Sequence, residues 1–386
     1  MKQILEGSNA IAQIIKAIGP AVVSAYPITP QTHIVEDLAK IKADGLSDFE
    51  YVRAESEFSA ASIVAGASAA GVRTYTATSS QGLLLMSEVV FNIAGMRLPI
   101  VMTVANRAIS APINIWNDQS DAMALRDAGW IMLFSENVQE TVEQHILAYK
   151  VAEKLKIPVM VNLDGFVLTH TFEPVDLPDE KIIKKFLPDY KPEKGEFLDP
   201  ENPMTLGALA TPDHYMEIRK ELSDDITNSK AILKDEGINL SRVLKSVGSH
   251  STENPFVEYY GPKKPDIILC ALGSVIGTMK EVTDELNGKS GKKIGILKIK
   301  CFRPFPYEEI RAAVKTVKKI AVLDKSISLG HTGPLASDLK ASLYGGKAEI
   351  KSFVVGLGGR DITREMVRNI ISNFDKFEID GPNFVG

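Results

Sequence analysis

Cysteine is scarce in this sequence. Only Cys270 and Cys301 occur, each inside an apolar, strand-like run, which is typical of a buried free thiol. Two thiolates are too few for an iron–sulfur cluster, and the sequence has no CxxC pair for a zinc ribbon. If this chain takes part in electron transfer, we therefore expect the metal centres on another chain.

Long apolar runs and an excess of basic residues are also absent. No apolar run reaches the ~20 residues that a membrane span requires. The amphipathic start, MKQILEGSNAIAQIIKAIG, lacks the apolar block and cleavage site of a secretory signal, so we expect a cytoplasmic protein that begins with a folded helix. The net charge of −5 argues against nucleic-acid binding, which needs a concentrated basic surface. The six histidines are scattered without HExxH spacing, so we do not expect a metal hydrolase.

What is present predicts two domains of the α/β class. The chain has 386 residues, 45% of them hydrophobic, which suffices for more than one core. Residues 1–170 alternate helical patterns with strands that are apolar on both faces, and this predicts a parallel sheet covered by helices. Residues 171–254 predict an extended connection and a helical linker, over 212–246, packing on the first domain. The βα rhythm restarts in residues 255–386 and predicts a doubly wound domain.

Three local predictions concern single elements. The segment TPQTHIVEDLAKIKADG predicts a helix with Thr29 near its start, Pro30 at an early position and Gly45 as its stop. QGLLLMSEVVFNIAGM predicts one buried helix, and KKIGILKIKCF predicts one strand of the last domain.

Two candidate binding residues follow strands of the first domain, where ligands of parallel sheets bind. Thr29 places a hydroxyl at a helix N-terminus, where free N–H groups and the helix dipole favour a carboxylate; the alternative is that it only caps the helix. Arg107 follows the apolar strand LPIVMTVAN, and its guanidinium can grip a carboxylate through two parallel hydrogen bonds. The alternative for Arg107 is an ordinary ion pair.

A candidate proton carrier lies between a strand and a helix of small residues. Glu55 and Glu57 occupy this position, and Glu57 leads directly into the segment FSAA. A carboxyl group against such an apolar helix can share a proton with a ring nitrogen. The alternative is that the charge only favours the helix dipole.

Two glycine-containing turns belong to the predicted last domain. The first, residues 273–277, has the sequence GSVIG and does not match GxGxxG, so we do not expect a dinucleotide there. The second, residues 356–361, has the sequence GLGGRD and is either a close-packing turn or an interface. Neither turn supplies a nucleophile or a base.

Five ordered segments carry a resemblance to a known family. YPITP, the Glu57 segment, TSSQGLLLM, NRAISAPINIWNDQSD and GLGGRDIT resemble the alpha subunits of pyruvate:ferredoxin oxidoreductases, within the 2-oxoacid:ferredoxin oxidoreductase family. The resemblance covers nearly the whole chain and is weakest over residues 171–265. It implies that the first domain is similar to the pyrimidine-binding domain of thiamine diphosphate enzymes, and the last to the transketolase C-terminal domain.

The resemblance also implies residue roles and a reaction. The family's counterpart of Glu57 hydrogen-bonds N1′ of the aminopyrimidine ring, and Thr29 and Arg107 match positions that bind the carboxylate and carbonyl region of the 2-oxoacid. The implied reaction is the oxidative decarboxylation of pyruvate with coenzyme A to acetyl-CoA and CO2, with electrons passing to ferredoxin.

Part of the expected machinery is missing from this chain. Thiamine diphosphate enzymes hold the diphosphate through Mg²⁺ with a GDG segment, but Asp164-Gly165 lacks the preceding glycine. We therefore expect the diphosphate half of the site, the Mg²⁺ and the iron–sulfur (4Fe-4S) clusters on partner subunits, namely beta, gamma and delta subunits. The isolated chain should be inactive and bind thiamine diphosphate poorly.

Other functions fit parts of the pattern. Thr29 and Arg107 recognise features that all 2-oxoacids share, so 2-oxoisovalerate and 2-oxoglutarate remain alternative substrates, although the IWNDQSD stretch is more similar to the pyruvate type. A subunit of a sulfopyruvate or phosphonopyruvate decarboxylase is a weaker alternative. A non-catalytic docking subunit would have no need for Thr29, Glu57 and Arg107 at successive strand ends.

Overall fold

The computed structural model describes residues 2–245, 253–289 and 291–386, and it contains two large sheets with helices on both faces. None of the described helices combines the length and apolarity that a membrane span requires. The elements before the last domain are β1 (Gln3–Glu6), α1 (Gly7–Ile18), β2 (Val22–Ala25), α2 (Thr32–Ala43), β3 (Glu50–Arg53), α3 (Glu57–Ala69), β4 (Thr74–Thr78), α4 (Ser80–Leu85), α5 (Ser87–Gly95), β5 (Val101–Asn106), α6 (Ser120–Ala124), β6 (Ile131–Phe134), α7 (Val138–Leu155), β7 (Val159–Asp164), β8 (Phe172–Val175), α8 (Glu180–Phe186) and α9 (Pro212–Lys245).

The first sheet has seven strands in the order β12-β6-β7-β5-β4-β2-β3, where β12 is Cys301–Arg303. All neighbours pair in parallel except β12, which runs antiparallel to β6. Every residue of β4, β5 and β7 is buried, because helices cover both faces: α1, α2 and α7 share one apolar cluster, and α3 and α5 share another. The parallel sheet predicted for the first domain is therefore present.

Two helices differ from their predicted bounds. The second helix begins at Thr32 and ends at Ala43, so Thr29 lies in the turn before it and Gly45, with φ of +69°, lies just beyond it. The predicted single helix after β4 is wrong, because it divides at Met86 into α4 and α5. Hydrophobicity alone does not reveal this break, since Leu83, Met86 and Val90 are all buried.

The connection between the domains contains more regular structure than predicted. β8 pairs with β1 in a small antiparallel sheet. The charged segment after it forms one helix, α9, of 34 residues. Leu233, Leu240 and Leu244 on this helix are buried in the same cluster as α7. The last residue of the predicted helix, Ser246, lies outside the described residues.

The second sheet has six strands in the order β15-β14-β13-β10-β11-β9, parallel except for β9. Helices α10 and α13 cover one face, and α11 and α12 cover the other, which is the predicted doubly wound arrangement. The elements are β9 (Val257–Tyr260), β10 (Ile267–Ala271), α10 (Val275–Lys289), β11 (Ile294–Ile299), β12, α11 (Tyr307–Val314), β13 (Lys319–Asp324), α12 (Pro334–Ser342), β14 (Glu349–Val354), α13 (Arg364–Ser372) and β15 (Pro382–Phe384).

The two sheets are joined by a strand that changes sheet. The prediction of a single strand for KKIGILKIKCF is wrong: it divides after Ile299, so that β11 stays in the second sheet while β12 joins the first. At the crossing, Phe134 N–H donates to Lys300 O at 2.7 Å, and Lys300 N–H donates to Phe256 O at 2.8 Å. The last domain therefore completes an edge of the first sheet.

Candidate active site

The carboxyl ends of four neighbouring strands bring the predicted residues to one edge of the first sheet. The strands are β3, β2, β4 and β5 in spatial order. Thr29 follows β2, Glu57 follows β3 and Arg107 follows β5. Neighbouring strands lie roughly 5 Å apart, so these residues gather at one edge of the sheet, where ligands of parallel sheets bind.

Arg107 and Thr29 are in direct contact. The buried guanidinium of Arg107, 7% exposed, donates from Nη1 to Thr29 O at 2.9 Å and from Nε to Asn114 O at 2.8 Å. Burial lowers the pKa of Arg107, and Asp121 opposes this effect. None of the described ion pairs or hydrogen bonds uses Nη2, and no described carboxylate forms an ion pair with this guanidinium. The alternative of an ordinary ion pair for Arg107 is therefore not found among the described residues. The charge is available to an anionic ligand.

Glu57 is buried and has no partner among the described residues, whereas its neighbour Glu55 is exposed. Glu57 is 8% exposed at the first position of α3, and no hydrogen bond or ion pair of the described residues engages its carboxylate. Glu55 accepts a hydrogen bond from Ser59 Oγ at 2.5 Å, which lowers its pKa. Because an unpartnered buried acid is costly, Glu57 is a candidate for binding a ligand.

The start of α4 leaves room for Glu57. A Cβ atom at Gly82 would lie 2.8 Å from Glu57 Oε1 and 2.5 Å from Thr78 Oγ1, so a side chain there would displace the acid. In the segment TSSQG it is therefore the glycine that makes space for the Glu57 side chain, a role that the sequence did not indicate.

A buried carboxyl group that sequence reasoning missed joins the ends of β4 and β5. Asp121 accepts hydrogen bonds from Ser80 N–H at 2.9 Å, Arg107 N–H at 3.0 Å, Ala122 N–H at 2.7 Å and Asn106 Nδ2 at 2.9 Å. Burial raises the pKa of Asp121 to about 7, against the effect of these four donors. Asp121 thus fixes the backbone that carries Arg107; its only sequence signal was membership of the NRAISAPINIWNDQSD segment.

Asp164, the residue of the incomplete GDG segment, is committed to the last domain. Its carboxylate pairs with Lys325 Nζ at 2.9 Å and accepts a hydrogen bond from Ser274 N–H at 2.8 Å. Burial acts to raise the pKa of Asp164, but Lys325 and Ser274 lower it below its ordinary value. A Cβ at Gly273 would lie 2.8 Å from Asp164 Oδ2, so the GSVIG turn receives a carboxylate of the first domain.

The GLGGRD turn is an interface with the first domain. Gly359 N–H donates to Asn117 O at 2.7 Å, and Asn114 Nδ2 donates to Gly358 O at 3.0 Å. Asn114 is also the residue whose carbonyl receives Arg107 Nε. The last domain therefore supports the guanidinium through the segment of residues 108–119, which we call the docking loop.

Large apolar side chains are exposed on the segments that carry these residues. Such a grouping is typical of a protein interaction surface. The exposed residues are Tyr26, Phe58, Leu85, Ile113 and Trp116.

Family models match both domains of the chain. Residues 13–236 match the model described as pyruvate flavodoxin/ferredoxin oxidoreductase, thiamine diphosphate-binding. Residues 265–367 match the model of pyruvate:ferredoxin oxidoreductase core domain II. The boundary between the two matches falls in the helical connection, close to the end of α9.

Several curated proteins are similar to this chain over its whole length. Pyruvate synthase subunit PorA of Methanocaldococcus jannaschii is 46% identical over 100% of this chain and 97% of its own length. The same subunit of Pyrococcus furiosus is 44% identical over 94% of this chain and 91% of its own length. Ketoisovalerate oxidoreductase subunit VorA of Pyrococcus abyssi is 40% identical over 97% and 94%, respectively.

A solved structure shares the fold. The 2-oxoglutarate:ferredoxin oxidoreductase of Magnetococcus marinus superposes with a TM-score of 0.74 over 96% of this chain and 65% of that chain, at 22% identity. This likeness supports the arrangement of the two α/β domains. Because the thiamine diphosphate-binding model spans more than half of the chain and relatives match it end to end, the chain belongs to the pyruvate:ferredoxin oxidoreductase family, in the branch of its alpha subunits.

Proposed function

We propose that this chain is the alpha subunit of a pyruvate:ferredoxin oxidoreductase and contributes the aminopyrimidine and 2-oxoacid side of a shared thiamine diphosphate site. The proposal rests on the position of Glu57. This buried acid has no described partner and lies at the edge of the sheet that also holds Thr29 and Arg107. The family model that matches this domain is described as thiamine diphosphate-binding.

The residues of this chain fit one half of the cofactor. Glu57 offers a buried acceptor or donor for a ring nitrogen, next to the exposed apolar residue Phe58. The diphosphate half does not fit, because Asp164 is held by Lys325 and Ser274 and is not free to bind Mg²⁺. In this proposal the Mg²⁺ therefore belongs to a partner subunit. The 4Fe-4S clusters belong to partner subunits as well, because this chain has only two cysteines.

When bound, thiamine diphosphate supplies the electron sink for decarboxylation of the 2-oxoacid. Glu57 holds a proton at N1′ of the aminopyrimidine and so controls its protonation. Arg107 binds the substrate carboxylate through the donors on Nη2, while its other donors stay on Thr29 O and Asn114 O. Thr29 offers its exposed hydroxyl to the same end of the substrate, which fixes the orientation of the 2-oxoacid.

The partners follow from the same surface. Curated relatives are named as subunits, and the exposed apolar residues beside the site are suited to a neighbouring chain. We propose beta, gamma and delta subunits as partners, with coenzyme A and ferredoxin as co-substrates. Relatives named pyruvate synthase are 43–46% identical and the ketoisovalerate enzyme is 40% identical, which favours pyruvate over 2-oxoisovalerate; rates with a panel of 2-oxoacids decide between them.

The substitution Glu57→Gln tests the proposal in the assembled complex. The amide keeps the shape of the carboxyl group but cannot exchange a proton, so turnover should fall by about 100-fold or more. Pyruvate-dependent reduction of ferredoxin measures the rate, and gel filtration measures assembly.

Glu55→Gln is the matched control, because Glu55 is exposed and lies two residues away. Its complex should keep its rate. If the Glu57→Gln complex assembles and turns over at the wild-type rate, Glu57 has no role in the mechanism and the proposed function is contradicted.

A further inference from the structure

Three potential metal ligands from distant parts of the chain meet on the surface of the first domain. Glu6 ends β1, His33 lies in the first turn of α2, and His170 follows β7. One ligand atom from each side chain lies within 4.8 Å of the other two. Among the described residues this is the single group of metal-ligating side chains with that geometry.

We propose that Glu6, His33 and His170 form a binding site for a zinc-like transition metal ion. Two imidazoles and one carboxylate are a ligand set that suits Zn²⁺, with a fourth position left for water. Mg²⁺ prefers oxygen ligands in an octahedral shell, so this site should discriminate against it. The side chains need only small rotations to bring their ligand atoms to bonding distance, since His33 is exposed and Glu6 is half-buried.

The surroundings orient the two rings. His170 Nδ1 contacts Thr169 Oγ1 at 2.7 Å, a contact of the kind that fixes the tautomer of a ligating imidazole. The ring of His170 packs at 4.5 Å from that of His33 and at 4.8 Å from that of Phe166.

The contact between Glu6 and His33 lies at the proposed position of the ion. In the tautomer that has its proton on Nδ1, His33 donates a hydrogen bond to Glu6 Oε1 over 2.7 Å. A cation bound between them takes the place of that proton, which the imidazole then carries on Nε2, and both atoms become ligands.

A bound ion would join three segments close to the turn that carries Thr29. His33 lies four residues after Thr29. The backbone after β7 packs on Pro30, because a Cβ at Gly165 would lie 2.6 Å from Pro30 Cγ. The ion would therefore stabilise the wall that carries Thr29, without touching the reacting atoms.

Calorimetric titration of the tag-free, metal-free full chain with Zn²⁺ tests the site. The wild-type chain should bind one equivalent with a Kd in the micromolar range or below, and Mg²⁺ should give no such binding. His33→Gln and His170→Gln should each weaken zinc binding by at least about tenfold. His214→Gln is the control, because His214 is exposed on α9 and outside the cluster.

Diffraction at the zinc absorption edge should place one anomalous peak between Glu6, His33 and His170. A chain that takes up no stoichiometric zinc, a peak elsewhere, or undiminished affinity in His33→Gln overturns the site. Glu57→Gln should bind zinc like the wild type, so this test and that of the proposed function can fail separately.

Discussion

Glu55 and Glu57 show how two identical side chains acquire different properties at a helix start. Ser56 lies between them and caps α3 by accepting a hydrogen bond from Ser59 N–H at 3.2 Å. The cap turns Glu57 inward toward Gly82 and leaves Glu55 in solvent, where Ser59 satisfies it. Sequence reasoning ranked Glu57 above Glu55 because of the helix that follows it, and the contrast in burial supports that ranking.

Arg107 is the residue at which substrate binding is most directly testable. Arg107→Ala removes the free Nη2 donors and also releases the carbonyls of Thr29 and Asn114. Loss of a charge-assisted pair of about 1.5–3 kcal/mol should raise the KM for pyruvate by roughly 10- to 100-fold. Steady-state kinetics of the assembled complex measures this change.

The KM for coenzyme A is the internal control for Arg107→Ala and should stay near its wild-type value. If the KM for pyruvate is unchanged in this variant, Arg107 does not bind the substrate carboxylate.

At the scale of elements, the docking loop is held by a turn from the other domain. Gly358 and Gly359 adopt φ of +58° and +81°, and a Cβ at Gly359 would lie 2.3 Å from Trp116 Cβ. Both the left-handed backbone and the close approach require glycine. This explains the GLGGRD motif, for which the sequence left a close-packing turn and an interface as alternatives: it is a close-packing turn that forms the contact with the first domain.

Gly359→Ala should therefore displace the docking loop. Gly345→Ala is the matched control, since Gly345 also has positive φ, +78°, but no atom lies within 4 Å of its Cβ position. Both variants should lose about 1 kcal/mol of stability through the backbone. Only Gly359→Ala should raise the KM for pyruvate as well, because Asn114 holds Arg107; equal kinetics in the two variants would contradict this link.

At the scale of the whole molecule, a buried ion network joins the two domains. Glu140 on α7 lies 2.9 Å from Lys298 and 3.2 Å from Lys300, and Lys298 also lies 2.8 Å from Glu136. Burial acts to raise the pKa of Glu140, but Lys298 and Lys300 lower it to about 2. The lysines flank the point at which the chain crosses from the second sheet to the first.

This network predicts acid sensitivity. An acid whose pKa is lower in the folded state stabilises the fold above its unfolded value, 4.5, and loses that contribution as the pH falls toward about 2. The shift corresponds to a contribution on the order of 3 kcal/mol. Glu140→Gln should thus be less stable than the wild type near pH 7, and the difference should narrow as the pH approaches 3.

Urea unfolding of the full chain at a series of pH values measures the difference. Glu253→Gln, at an exposed ion pair with Lys245, should show only a small effect at every pH. A Glu140→Gln deficit that is independent of pH would contradict the assigned pKa.

The sequence by itself determined the fold class and the strand-end positions of Thr29, Glu57 and Arg107. Apolar strands separated by helices allow only a covered parallel sheet, and such a sheet gathers its strand ends at one edge. The missing GDG glycine likewise pointed to an incomplete cofactor site.

Only the tertiary structure decided which polar groups meet. Asp121 bonds to Ser80, 41 positions away; Asp164 pairs with Lys325; and His33 meets His170 although the histidines are scattered in the sequence. Periodicity reports which face of an element is buried, but it carries no information on which distant segments pack together. Contacts between side chains that are far apart in the sequence, within one domain or between the two, therefore could not be predicted from the sequence.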